Sequence, residues 1–300
     1  MSQTKTVDSI LEFDKLWNYN KPDETAEKFK EILPKLKDSG NKSAYLQLLT
    51  QLARTQSLQL KFDESHKILD EVEPQLTGDM KLAKIRYLLE RGRTYNSSNQ
   101  KEKALELFRR AYELSRDEDD YDFYTIDAAH MMGIAESPEE GIKWNEKGMV
   151  LAEKSKDERA NGWLGALYNN TAWTYHDERD YEKALSIFEK NVKWHSERNT
   201  GQKLIFAKYC VARALRSLGR IDEALKIHNE LLKEIAETKH EDDGYIYEEL
   251  GECYLIKGNN EESKKYFATA YEILSKDKWL AEYEKERLER LKKLSIMNYD

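Results

Sequence analysis

Proline and cysteine are scarce in this sequence, with four Pro and two Cys in 300 residues. Because proline interrupts helices, its scarcity beside 35% charged residues argues against a β-sandwich or a proline-rich linker and favours helices. Two cysteines, Cys210 and Cys253, cannot supply a disulfide framework. We therefore expect reduced, partly buried thiols.

Long apolar runs and excess positive charge are also missing. No run approaches the roughly 18 apolar residues of a membrane span, and the first residues lack the apolar core and cleavage site of a secretory signal. A net charge of −8 disfavours a nucleic-acid-coating protein. These absences predict a cytoplasmic protein that binds neither membrane nor nucleic acid.

The main signal is an internal repeat. In six segments, a small residue is followed by a second small residue twelve positions later. These marker pairs are Ala53/Ser65, Gly92/Ala104, Ala129/Gly141, Ala172/Ala184, Ala212/Ala224 and Gly251/Ser263. Two helices joined by a short turn approach closely only where their facing side chains are small. The spacing therefore predicts a series of helical hairpins, each crossing at one marker pair.

Residues suited to turns and helix starts lie between the markers. Gly219 and Gly258 stand where a left-handed helix C-cap is expected. Ser137 precedes Pro138, which suits an N-cap followed by the first helical position. Asn99 and Asp180 are similarly placed, and we expect them to start helices.

These segments resemble the tetratricopeptide repeat, which has small and bulky residues at fixed offsets. The segment that matches best carries Tyr247, Leu250, Gly251, Tyr254, Ser263 and Phe267. Weaker repeats have Asn145 and His228 where an aromatic residue is expected, and Asp14 at the small position of the first hairpin. Second-helix markers are 37 to 43 residues apart, against about 34 in the common repeat. The chain thus resembles the long-repeat branch of kinesin light chains and bacterial peptide-sensing regulators, and also stand-alone repeat proteins with no established activity.

The resemblance implies an all-α, right-handed superhelical solenoid that forms a single domain over residues 1–300. A capping helix is expected at 278–296, and the acidic stretch at 116–120 is expected to be a loop between hairpins. The predicted hairpins span approximately 5–38, 42–77, 80–116, 121–155, 160–198, 202–238 and 243–275.

In such a solenoid, the first helices line a concave groove. Positions three before, one after and four after each first marker share one helical face, which we call the stripe. The stripe holds four Arg and two His but no Lys, and Arg is enriched at binding surfaces. The groove residues predicted from the stripe and its neighbours are Arg54, Arg93, His130, Asn169, Asn170, Trp173, His176, Tyr209, Arg213 and Arg216.

Each candidate also has a structural interpretation. Asn170 matches an asparagine that binds peptide backbone in several family members, but it could instead tie repeats together. Trp173 could be an exposed stacking platform or half-buried packing. The arginines could bind an acidic partner, or they could simply neutralise acidic neighbours such as Glu90 and Asp127.

The leading hypothesis is a non-catalytic scaffold that binds an extended peptide with an acidic group in the groove. The sequence has no metal-ligand spacing and no Gly-rich phosphate loop, so neither metal nor cofactor is expected. A sensor of a small anionic molecule or signalling peptide is the alternative. A hydrolase or transferase built on His130 and His176, and self-association, are further hypotheses.

Overall fold

The computed structural model describes residues 13–238 and 243–297. Their regular structure consists of α-helices and short 3-10 turns, and no β-strand occurs within these two ranges. The fold is an all-α solenoid of helical hairpins, as the repeat pattern predicts. It divides into two compact units, residues 1–167 (unit 1) and 168–300 (unit 2).

Unit 1 contains three complete hairpins and the second helix of the hairpin that precedes them. The first helix of that earlier hairpin, predicted from residue 5, lies largely outside the described residues. The helices of unit 1 are α1 (Pro22–Asp38), α2 (Lys42–Leu58), α3 (Phe62–Val72), α4 (Lys81–Ser97), α5 (Lys101–Ser115), α6 (Asp122–Ala135), α7 (Pro138–Lys154), the short α8 (Glu158–Asn161) and the beginning of α9 (Leu164–Asp177).

Unit 2 continues from the remainder of α9 in the same helix–turn–helix pattern. Its further helices are α10 (Tyr181–Glu197), α11 (Gln202–Ser217), α12 (Ile221–Thr238), α13 (Gly244–Ile256), α14 (Asn260–Leu274), α15 (Lys278–Tyr283) and α16 (Lys285–Ile296).

The predicted single capping helix is two helices, α15 and α16. The chain leaves the helical conformation at Glu284, where φ is −121° and ψ is 42°. At this break, Arg287 donates to Glu284 at 3.0 Å and to Glu248 of α13 at 2.6 Å. Charged contacts thus fix the start of α16, while Leu291 is buried in a cluster with Phe267.

The marker residues lie inside the hairpins, and all twelve are buried. A Cβ atom added to Gly251 would lie 2.8 Å from the Phe267 ring, and the Ser263 hydroxyl donates to the Gly251 carbonyl at 2.9 Å. Since neither contact leaves room for a larger group, the small residues mark the helix crossing as predicted.

One hairpin crosses one helical turn away from its predicted marker. A Cβ atom on Gly141 would lie 2.5 Å from the Gly133 carbonyl oxygen, so α7 approaches α6 at Gly133 rather than at Ala129. Two residues separate α6 from α7, whereas three separate the helices of the other complete hairpins. The shorter turn accounts for the shifted crossing.

The turn predictions are confirmed except at Asn99. Gly219 and Gly258 have φ values of +77° and +72°. Ser137 and Asp180 accept hydrogen bonds from the backbone N–H groups three residues later, as N-caps do. Asn99 has φ +61° and lies in the left-handed turn itself, because asparagine tolerates this conformation.

Second helices share a buried aromatic position, filled by Phe108, Phe188 and Phe267. Asn145 and His228 replace the aromatic residue at the equivalent positions and are also buried. Asn145 Oδ1 and both His228 nitrogens lack a hydrogen-bond partner in the described structure. These hairpins therefore hold a polar group where the pattern predicts a ring.

Candidate functional site

Unit 1 contains a groove of about 700 Å³. Side chains from α2, α4 and α6 line it, together with the segment before α1 and the segment around α8. The charged lining residues are Asp14, Arg54, Arg86, Glu90, Arg93, Asp127 and Arg159. The aromatic lining residues, apart from His130, are Trp17, Tyr19, Phe123, Tyr124 and Trp163.

Arg93 lies at the centre of a buried ion-pair cluster. Its Nη1 is 2.9 Å from Glu90 Oε1, and its Nη2 donates to Asp127. Arg54 approaches the same glutamate, with Nε 3.7 Å from Oε2. Burial opposes the charge on Arg93, but Asp127 and Glu90 raise the pKa of its guanidinium. Arg93 therefore contacts both Glu90 and Asp127, as the interpretation that it neutralises these acids requires.

The other buried guanidinium of the groove belongs to Arg86. It donates to both carboxylate oxygens of Asp14 and to the Tyr124 hydroxyl. Asp14, predicted at a small-residue position, therefore pairs with a helix two hairpins away. This contact closes one side of the groove with the segment that precedes α1.

Several polar atoms of the groove are buried and have no hydrogen-bond partner in the described structure. They are Glu90 Oε2, Asn96 Oδ1, His130 Nδ1 and Trp163 Nε1. Burial lowers the pKa of His130 to about 4, so its imidazole is neutral at pH 7. Buried polar groups are normally hydrogen-bonded, so these atoms are available to the polar groups of a ligand or to ordered water.

Around Trp163, three aromatic rings and one arginine form a continuous cluster. The Arg159 guanidinium carbon lies 4.2 Å from the centre of the Phe123 ring. Phe123 and Trp163 are 5.8 Å apart between ring centres, and Trp163 and His130 are 5.1 Å apart. We call these four residues the α8 cluster.

The repeat spacing did not indicate Arg159, Phe123 or Trp163. They lie near hairpin junctions, outside the stripe. A usable signal is that Arg159, inside the short α8, falls between two predicted hairpins and is followed four residues later by Trp163. Some stripe positions, conversely, are not on the surface. Thr50 and Ile126 are fully buried, because neighbouring first helices pack against each other.

The remaining predicted arginines lie in unit 2. Arg213 Nε is 3.0 Å and Arg216 Nε is 2.6 Å from the Glu249 carboxylate on α13. A single buried glutamate thus holds two stripe arginines. Their charge is partly balanced within unit 2, as is that of Arg93 in unit 1.

His176 in unit 2 lies close to a hydroxyl. Its Nε2 is 2.9 Å from Ser217 Oγ, and its Nδ1 is 3.8 Å from Asp177 Oδ1. The same hydroxyl accepts from Arg213 and donates to the Arg213 carbonyl. Since Asp177 is beyond hydrogen-bond distance and largely exposed, the arrangement lacks the oriented base of a catalytic triad.

The other predicted residues of unit 2 are half-buried or buried. Asn169 donates to Asn170 at 3.3 Å. Trp173 is half-buried and packs edge-on against Phe188, with ring centres 5.2 Å apart. Tyr209 is buried beside His228, and burial raises the pKa of its phenol. Trp173 therefore matches the packing interpretation more closely than that of an open platform.

Within the described ranges, no helix is both long and apolar enough to cross a bilayer. Within the same ranges, no group of three or more His, Cys, Asp or Glu side chains could hold a metal ion.

Comparison with protein-family models identifies tetratricopeptide repeats in three places. One model matches residues 204–276, and a second matches residues 85–118 and 165–194. No curated protein matches the chain.

Solved structures of similar fold cover most of the chain at low identity. The apo form of RapI aligns with 98% of this chain and 81% of its own, at 15% identity and a TM-score of 0.71. Aspartyl phosphate phosphatase F from Bacillus subtilis aligns with 90% of this chain and 78% of its own, at 16% identity and a TM-score of 0.58. A tetratricopeptide repeat protein from Parabacteroides merdae covers 98% of both chains, at 18% identity and a TM-score of 0.53.

Proposed function

Because the chain is a tetratricopeptide repeat protein, and such repeats build protein-interaction modules, we propose that it binds an extended polypeptide segment with an acidic group in the groove of unit 1. The proposal rests mainly on the set of polar atoms that are buried in that groove without a hydrogen-bond partner. The residues assigned to binding are Arg54, Asn96, His130 and Trp163.

The unpartnered atoms include both hydrogen-bond donors and acceptors. Trp163 Nε1 can only donate, and Asn96 Oδ1 can only accept. An extended backbone presents N–H and C=O groups in alternation, so it can satisfy both kinds of atom. Aromatic rings along the same groove offer apolar surface to the side chains of the bound segment.

The charges of the groove lining support the proposal that the bound segment carries an acidic group. The groove lining holds four arginines and three carboxylates, whereas the whole chain carries a net charge of −8. His130 adds no charge at pH 7 because burial lowers its pKa to about 4. The groove is thus a positive site on an acidic protein, which favours negatively charged segments.

A peptide array tests this proposal. Purified protein is applied to N-acetylated octapeptides that differ in the number and position of Asp and Glu. Ser97 lies exposed at the groove edge, so Ser97→Trp should obstruct the groove without altering the core. Ser196→Trp is the matched control, since Ser196 is an exposed serine near the end of a helix in unit 2.

We expect acidic peptides to bind the unmodified protein and the Ser196→Trp variant, but not the Ser97→Trp variant. Equal binding by all three proteins, with unchanged melting temperatures, would overturn the groove assignment. The volume of the groove also lies in the range of small-molecule sites, about 300–1,000 Å³. A rise in melting temperature with a small anion, without peptide binding, would favour the sensor instead.

A further inference from the structure

The groove lining holds one more positive than negative charge, and the excess charge belongs to one residue. Arg54 and Arg93 face Glu90 and Asp127, and Arg86 faces Asp14. These six residues form a neutral set. Arg159 is the remaining charged residue of the lining, and no carboxylate of the described chain lies within 4.0 Å of its guanidinium.

We infer that Arg159 and the indole Nε1–H of Trp163 bind a single carboxylate group, so that the α8 cluster is the anion subsite of the groove. This inference rests on the proposed function, because it identifies where the acidic group of the bound segment lies. It differs from the expectation that stripe arginines such as Arg93 hold that group.

The geometry of the α8 cluster supports a carboxylate. A guanidinium that lies over a ring keeps its N–H donors around its edge, where they can bond a carboxylate in bidentate fashion. Trp163 Nε1 supplies a further donor that is buried and unpartnered. His130, nine-tenths buried, has an unpartnered Nδ1, and the centre of its ring lies 5.1 Å from that of Trp163.

The single excess positive charge of the groove favours a ligand group with one negative charge over a group with two. One unbalanced guanidinium compensates a monoanion, whereas a phosphate dianion would leave a negative charge in a groove that also contains Glu90, Asp127 and Asp14. Arg86 and Arg93 already donate hydrogen bonds to those three carboxylates. We therefore assign the subsite to a carboxylate rather than to a phosphate.

Benzoate and benzamide provide the test, because they have nearly the same shape and only benzoate is charged. Each is titrated into the ¹⁵N-labelled full-length protein while the six indole N–H signals are recorded. Trp163→Phe identifies the Trp163 signal. We expect benzoate to shift that signal saturably, and benzamide and phenyl phosphate to bind more weakly.

Arg159→Gln removes the charge while keeping much of the side chain, and it should weaken benzoate binding by about tenfold or more. Arg159→Lys keeps the charge but not the bidentate geometry and should be intermediate. Arg110→Gln is the control, since Arg110 is largely exposed and outside the groove. It should leave benzoate binding unchanged.

The outcomes separate the two proposals. No response of Trp163 to benzoate, an equal response in Arg159→Gln, or tighter binding of phenyl phosphate would overturn the subsite. Peptide binding that is blocked by Ser97→Trp but insensitive to Arg159→Gln would overturn the subsite and leave the proposed function standing. Benzoate binding at Trp163 with no peptide bound on the array would support the subsite and remove the peptide proposal.

Discussion

Arg86 on α4 donates through both ends of its guanidinium to the two carboxylate oxygens of Asp14. The residues are 72 positions apart, and the arginine is almost fully buried. Removing one member of a buried pair leaves the other charge uncompensated. The short segment before α1 is thereby bound to the hairpin formed by α4 and α5.

Asp14→Ala should therefore destabilise the protein, by about 3 kcal/mol in urea-induced unfolding. The Tyr124 hydroxyl, which remains bonded to Arg86, keeps the loss from being larger. Asp38→Ala is the control, because Asp38 is exposed at the end of α1, and it should change stability by less than about 0.5 kcal/mol. An equal loss in both variants would contradict the structural role of the Asp14–Arg86 pair.

Arg93→Ala should lower the unfolding free energy by about 3–5 kcal/mol, because it leaves Glu90 and Asp127 buried without their main partner. Adding Asp127→Asn should recover part of this loss by removing one buried carboxylate. A thermodynamic cycle of the single and double variants measures the coupling, and strictly additive losses would contradict it. Loss of ligand binding in Arg93→Ala would thus report on folding as much as on the groove.

Gly251→Ala should destabilise unit 2 by about 1–3 kcal/mol, because the new Cβ would lie 2.8 Å from the Phe267 ring. Gly78→Ala offers a comparison, since nothing lies within 4 Å of a Cβ at that position. It should leave the urea midpoint nearly unchanged. If Gly251→Ala were as stable as the parent protein, the close helix crossing at this marker would be wrong.

His228 should make stability depend on pH. Burial lowers its pKa to about 3, whereas the unfolded side chain takes a proton near pH 6.5. As the pH falls below about 6.5, the unfolded state gains a proton that the folded state excludes, so stability decreases by up to about 1.4 kcal/mol per pH unit. His130, with a pKa of about 4, contributes with the same sign.

His228→Phe tests this prediction, because phenylalanine occupies the equivalent position in other hairpins. The variant should be more stable at pH 5 and show a shallower loss between pH 6.5 and 5 in urea titrations. Asn145→Phe, at the equivalent buried position of another hairpin, serves as the control, because asparagine does not titrate. An unchanged slope in His228→Phe would mean that His228 does not titrate as its burial requires.

The hairpins were predictable because their physical requirement is local. A small residue such as Gly251 must stand twelve positions before a second small residue. Gly258 must adopt the left-handed conformation of the turn between them. After α6 the turn is one residue shorter, and the two helices cross one helical turn away from the predicted marker. Local spacing fixes the hairpin, and the length of the turn fixes its crossing.

The site was only partly predictable, because its contacts join different hairpins. Arg54, Arg93 and His130 were identified and do line the groove, but the pairing of Arg93 with Asp127 spans 34 residues. Gln51 and Glu90 are likewise 39 residues apart. These separations are close to one repeat, which is why Asp127 could be named from the sequence as an acid that a stripe arginine would neutralise.

Arg159 escaped prediction for a different reason. Its importance is that it lacks a carboxylate partner, and this depends on where every neighbouring carboxylate lies. A sequence records which acids are present but not which ones are already engaged by other arginines. The anion subsite is therefore a property of the folded unit and not of a motif.

The neutral state of His130 fixes how the groove responds to acidity. Its lining arginines keep their protons far above neutral pH, and the imidazole stays uncharged down to about pH 4. Between pH 5 and 9 neither the lining arginines nor His130 changes its charge. Acid-induced release of a bound molecule in that interval, while the protein stays folded, would therefore report the ionisation of that molecule, so its titration curve would help to identify it.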